Sequence, residues 1–181
     1  MTQTELLYNL PSPVTNASFT TQRVISAPAT EQRAIIPAGF FSYSDTLLVK
    51  AWGTVANAAT GATFANVLGW DPTPGTLGSS IASFPALAPT ASTTCVWELE
   101  AWIQQEALGA SGLTLQCNGK WRQSVVATAT FGTANTEAMF NTSLTGLNSE
   151  AQAAIELWST CSASNAGATI TVELFDVFGL N

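Results

Sequence analysis

Histidine is absent from this 181-residue chain. That removes the commonest general base, the usual nucleophile–base triads and the commonest metal ligand. Positive charge is nearly as scarce, with only Arg23, Arg33, Lys50, Lys120 and Arg122. Five cations cannot line a phosphate backbone, so no direct nucleic-acid partner is expected, and no anionic membrane surface either. Charged residues make up 9% of the chain, and the acidic excess leaves a net charge of -7. A surface with so little charge is weakly defended against association, and interface cores are themselves poor in charge. The composition therefore predicts self-association. Cysteine is limited to Cys95, Cys117 and Cys161, an odd number at wide spacing with no metal-knuckle pattern. They read as buried, reduced thiols of a protein assembled in a cytoplasm.

Other signals are missing as well. No apolar run reaches the roughly 20 residues of a membrane-spanning helix. The first twenty residues carry Glu5, Pro11 and Pro13 without a basic start, which is not the form of a signal peptide. Without one, the glycosylation patterns Asn16-Ala17-Ser18 and Asn141-Thr142-Ser143 carry no weight. No G-x-S-x-G, phosphate-loop or dinucleotide glycine motif occurs, and no cofactor is expected.

What is present is a chain with 46% apolar residues, enough to bury a core, in two unequal parts. Residues 1–34 contain three of the prolines early on and show no sustained period. Proline favours extended backbone and withholds an amide donor. The apolar residues come in small groups, Leu6, Leu7, Tyr8 and Leu10, then Phe19. This pattern predicts an extended N-terminal arm that attaches to a neighbouring subunit through Leu6, Leu7, Tyr8, Leu10 and Phe19.

From residue 35 to 181 the period is two. In "DTLLVKAWGTV", Leu47, Val49 and Ala51 alternate with Leu48, Lys50 and Trp52. "GATFANVLGW" and "GSSIASF" are further short strands, with the Pro/Gly turn "WDPTPG" between them. In "CVWELEAWIQQE", Trp97, Leu99, Ala101 and Ile103 share one face and Glu98, Glu100, Gln104 and Glu106 the other, with Trp102 also on the polar side. The strand reading separates charge from apolar side chains; a helix would mix them. "GASG" then turns into "LTLQCNGKW", which alternates again, so the two runs form a hairpin. "AAIELWSTC" and "TITVELFDVFG" end the chain as strand, turn and strand. A short helix over 148–158 competes, since Ser149 and Gln152 have capping-box spacing. The sum is an all-β protein: a jelly-roll-like antiparallel β-sandwich over 35–181 with an extended N-terminal arm.

Two constellations bear on chemistry. Glu98 and Glu100, two residues apart on one strand face, stand roughly 7 Å apart at the Cα atoms, a spacing glycosidases use. Carboxylates on the wet side of an antiparallel sheet are the simpler reading, and no enzyme is expected. Trp102, on the polar face, is a candidate stacking platform for a sugar; the other tryptophans read as core or interface.

The stretches "IPAGFF", "DTLLVKAWGTV", "CVWELEAWIQQEALGASGLTLQCNGKW" and "IELWSTCSASNAGATITVELFDVFG" resemble small virion proteins of tailed bacteriophages, especially those of actinobacteria. The resemblance covers about 35 to 181. It implies a non-enzymatic structural protein of the virion, a homotrimer, with the major capsid protein or other virion subunits as partners. It further implies a capsid decoration protein anchored through the arm or a head fibre, or alternatively a minor tail or tail-fibre module that binds a host receptor or glycan.

Overall fold

A computed structural model describes residues 4–27, 33–43, 45–57, 62–89, 93–109, 112–124, 135–163 and 167–180. Among these residues twelve strands form two antiparallel sheets packed face to face. The strands are β1 (Thr4–Asn9), β2 (Val14–Ala17), β3 (Arg23–Val24), β4 (Ala34–Ile36), β5 (Thr46–Ala56), β6 (Phe64–Asp71), β7 (Ser79–Leu87), β8 (Thr94–Gly109), β9 (Gly112–Ser124), β10 (Asn135–Leu147), β11 (Ala153–Cys161) and β12 (Thr169–Leu180). The larger sheet runs β1-β12-β5-β8-β9-β10, with β2 beside β1 on the same flank of β12. The smaller runs β3-β11-β6-β7, with β4 also on β11. The expected all-β antiparallel sandwich is the fold observed.

Strict alternation places the core. Leu47, Val49, Ala51 and Val55 of β5, and Trp97, Leu99, Ala101 and Ile103 of β8, all point inward and are buried. Leu113, Leu115 and Cys117 of β9 continue that layer. The β8–β9 hairpin pairs Trp97 with Gln123 through to Gly109 with Gly112. A ladder of rings crosses the sandwich: Trp97 stacks on Trp121 at 5.3 Å, and Trp121 on Phe84 of the opposite sheet at 4.8 Å. Gly53 makes room for it, because a Cβ there would run into the Trp97 ring and the Thr171 carbonyl oxygen. The three cysteines are free and buried, and burial pushes the Cys117 thiol up to about 12.

One open alternative is decided in favour of the expected strand, and one expectation is corrected. The competing helix over 148–158 does not form; β11 begins at Ala153. Val67 and Leu68 of β6 stand opposite Trp158 and Leu157, and only an extended β11 offers the pairing groups β6 requires.

The correction concerns the arm. β1 and β2 pair with β12, and β3 pairs with β11, so residues assigned to an arm belong to the same sandwich. Tyr8, Leu10 and Phe19 are buried in its core, and Leu7 packs against it. Tyr8 meets Phe175 edge-on at 6.1 Å and Phe19 lies 6.1 Å from Phe64. Of the five residues expected to reach a neighbour, Leu6 alone stays largely exposed, at 54%. The physical reason is the edge of β12: without β1 and β2 its amides on that side would lack partners.

Candidate functional site

The outward residues of the larger sheet form rows across its strands. The first row is Leu174, Trp52, Glu98, Arg122 and Glu137. The second is Asp176, Lys50, Glu100, Lys120 and Met139. The third is Leu6, Phe178, Leu48, Trp102, Asn118 and Asn141. Trp52 is 46% exposed and Trp102 41%, whereas Trp70, Trp97, Trp121 and Trp158 are buried. A hollow of about 410 Å³ lies around Trp52, lined by Lys50, Glu98, Glu100, Leu174 and Asp176.

Glu98 and Glu100 do share this face, as the sequence required. Arg122 stands 3.5 Å from Glu98 and 2.8 Å from Glu137, and Lys120 3.8 Å from Glu100. Such half-exposed pairs add little stability, on the order of 0–1 kcal/mol each. They do make the face nearly neutral. Asn9 donates to Asp176 across the β1–β12 flank at 2.6 Å, so the N-terminal segment helps fix the rim of the hollow.

A second polar cluster, not anticipated from the sequence, lies on the outer side of the smaller sheet. Asp71 and Glu156 are buried there. Arg33 donates to Glu156 Oε1 at 2.6 Å and the Gly75 amide to its Oε2 at 2.9 Å. The Gly78 amide donates to Asp71 Oδ1 at 2.8 Å, and the Trp158 indole N–H to Asp71 Oδ2 at 2.7 Å. The bare Cα of Gly69 lets the Asp71 carboxyl fold back, since a Cβ there would fall 2.9 Å from its oxygen. The turn "WDPTPG" is thereby tied down over β11. Its only sequence signal was the turn; the pairing of Asp71 with a residue 85 positions later comes from β6–β11 register.

Burial, reinforced by the neighbouring Glu156 carboxylate, pushes Asp71 up to about 7, against the Gly78 and Trp158 N–H groups, which pull it down. The folded state therefore holds this proton more tightly than the unfolded chain. Its stabilising effect is complete below the unfolded value of 3.8, declines as pH rises, and is gone above about 7. Between pH 5 and 8 the fold is expected to lose roughly 2–3 kcal/mol, or on the order of 5–10 °C in melting temperature. Thermal melts across that range check this, and Asp71→Asn should flatten the slope. A wild-type melting temperature that rises from pH 5 to 8 would contradict it.

Among the described residues, no three His, Cys, Asp or Glu side chains gather to hold a metal. Fold and face together define an antiparallel β-sandwich with an open, aromatic-bearing outer sheet. No family model and no curated protein matches the chain. Among solved structures it is similar to the CBM2 module of the evolved Dit of Lactobacillus casei BL23 phage J-1, at 13% identity and a TM-score of 0.38, covering 99% of this chain and 97% of that one. It is also similar to arcelin-5, a lectin-like defence protein from Phaseolus vulgaris, at 10% identity, TM-score 0.34, covering 99% and 98%. A third is the PL-14 alginate lyase from Aplysia kurodai, at 9% identity, TM-score 0.35, covering 96% and 98%.

Proposed function

We propose that this protein is a non-enzymatic structural component of a bacteriophage particle, and within that class a tail or fibre module that presents its larger sheet outward. The resemblance of residues 35–181 to virion proteins supports the class, and the sandwich it implied is the fold observed. The observation that favours tail over head is the burial of the expected anchor. Tyr8, Leu10 and Phe19 fill the module's own core, so a capsid decoration protein held by a free arm loses its attachment. The non-catalytic reading is supported by Glu98 and Glu100, which lie on an open face beside Arg122 and Lys120 rather than in a closed cleft. A homotrimer belongs to the same proposal, since three copies would add the avidity of weak single sites.

Gold-conjugated antibody against the chain, applied to intact particles, tests the location. Label at the tail with a handful of copies per particle is the expected result, together with a trimeric mass for the purified protein. Label spread over the head in hundreds of copies would return the reading to decoration; no label on any particle would sink the virion role.

A further inference from the structure

The two exposed indoles stand on strands with both edges paired, β5 and β8. A peptide that binds by adding a strand needs an open edge, so this face is not a site of that kind. Trp102 sits opposite Leu48, four residues along β5 from Trp52 and one strand over. Strand rise and spacing put the two Cα atoms roughly 14 Å apart. Between them runs the polar row Asp176, Lys50, Glu100 and Lys120.

That arrangement selects among occupants. A second copy would bury about 800 Å² per partner around a charge-depleted centre. Here the centre is the charged row, and the half-exposed indoles offer on the order of 100 Å² each. A polyanion would need net positive charge. The face carries Lys50, Lys120 and Arg122 against Glu98, Glu100, Glu106, Glu137 and Asp176, three against five, a balance of -2. A pyranose ring fits both halves of the pattern. Its C–H face stacks on an indole, and each hydroxyl can donate to a carboxylate or accept from an ammonium. The hollow of about 410 Å³ supplies both kinds of group beside one indole.

We propose that this face binds a linear, largely uncharged oligosaccharide lying along β5, with one ring on Trp52, another on Trp102, and the hydroxyls between them bonded to Lys50, Glu100 and Asp176. The inference rests on the reading of the chain as an outward-facing tail module and names its ligand class. The length of the platform makes the ligand an oligosaccharide, because a single ring reaches one indole only.

The full chain would be screened on a printed glycan array, then titrated with cellohexaose, chitohexaose and maltohexaose and with an oligogalacturonate of equal length, following tryptophan fluorescence. A neutral oligosaccharide is expected to bind, more tightly than its trisaccharide and than the anionic control. Trp52→Ala and Trp102→Ala should each weaken binding about tenfold or more. Met139→Ser, on the same face and 75% exposed, should leave it unchanged. Melting temperature should stay within a degree or two, and mass in solution should stay the same, in all three variants. No neutral glycan bound at about 10 mM, or binding that survives both tryptophan changes, overturns the proposal. A change of oligomeric mass in either tryptophan variant overturns it too, by giving the face to a second copy. Particle labelling is independent of these outcomes: a labelled tail with no glycan binding would leave the module reading intact and remove only its ligand.

Discussion

Removal of residues 1–30 is expected to leave a chain that does not fold. The segment carries Tyr8, Leu10, Phe19 and Ile25, all buried. At roughly 1.5–3 kcal/mol for each buried side chain of this size, their loss approaches the whole stability of an ordinary domain, about 5–15 kcal/mol. Two further costs point the same way. β12 would lose β1 and β2 and expose an unpaired edge along much of its length. Such an edge pairs with other chains, so the expected product is aggregate. β11 would lose the Ile25 amide, which donates to the Leu157 carbonyl at 2.8 Å, and the Ser26 hydroxyl, which accepts from the Leu157 amide at 2.9 Å. Soluble yield and a thermal melt of the truncated chain check this. A cooperative melt within a few degrees of the full chain would show that the segment is an appendage after all. Phe19→Ala is the milder version, with an expected cost of about 3–5 kcal/mol.

Trp121→Ala is the point substitution expected to cost most. Its ring is fully buried and held between two parallel rings, Trp97 at 12° and Phe84 at 5°. Phe84 belongs to the smaller sheet and Trp97 to the larger, so this one side chain joins the layers. Truncation removes its transfer free energy and opens a cavity between flat neighbours that cannot close on it, a loss of about 3–5 kcal/mol, with roughly 0.5–1.5 kcal/mol more from the ring contacts. The indole N–H, which donates to Gln123 Oε1 at 3.3 Å, leaves that buried amide oxygen without this donor. A drop of about 10–15 °C in melting temperature is expected for a chain this long. Trp102→Ala, half exposed on the outer face, should change it by only a degree or two, about 0.5 kcal/mol. Equal losses in the two variants would mean that the ring ladder is not what couples the sheets.

The sequence alone determined the strands whose inner and outer faces differ. Residues 97–103 could be sorted by parity into Trp97, Leu99, Ala101 and Ile103 inside and Glu98, Glu100 and Trp102 outside, because a strand points successive side chains to opposite faces. The same rule put Trp52 beside Lys50 on the outer face of β5 and read the β8–β9 hairpin from its glycines. Parity says nothing about what covers the outer face. Trp158 has the outward parity of Glu156, yet both are buried, because Arg33 and the turn after Asp71 close over them. Nor does a local pattern disclose long-range pairing. The strands β1 to β3 are short, rich in flanking proline and lack a sustained period, and their partners β11 and β12 lie at the other end of the chain. Only the folded sheet, whose open edges must find hydrogen-bond partners, decided that they belong to the core rather than to an arm.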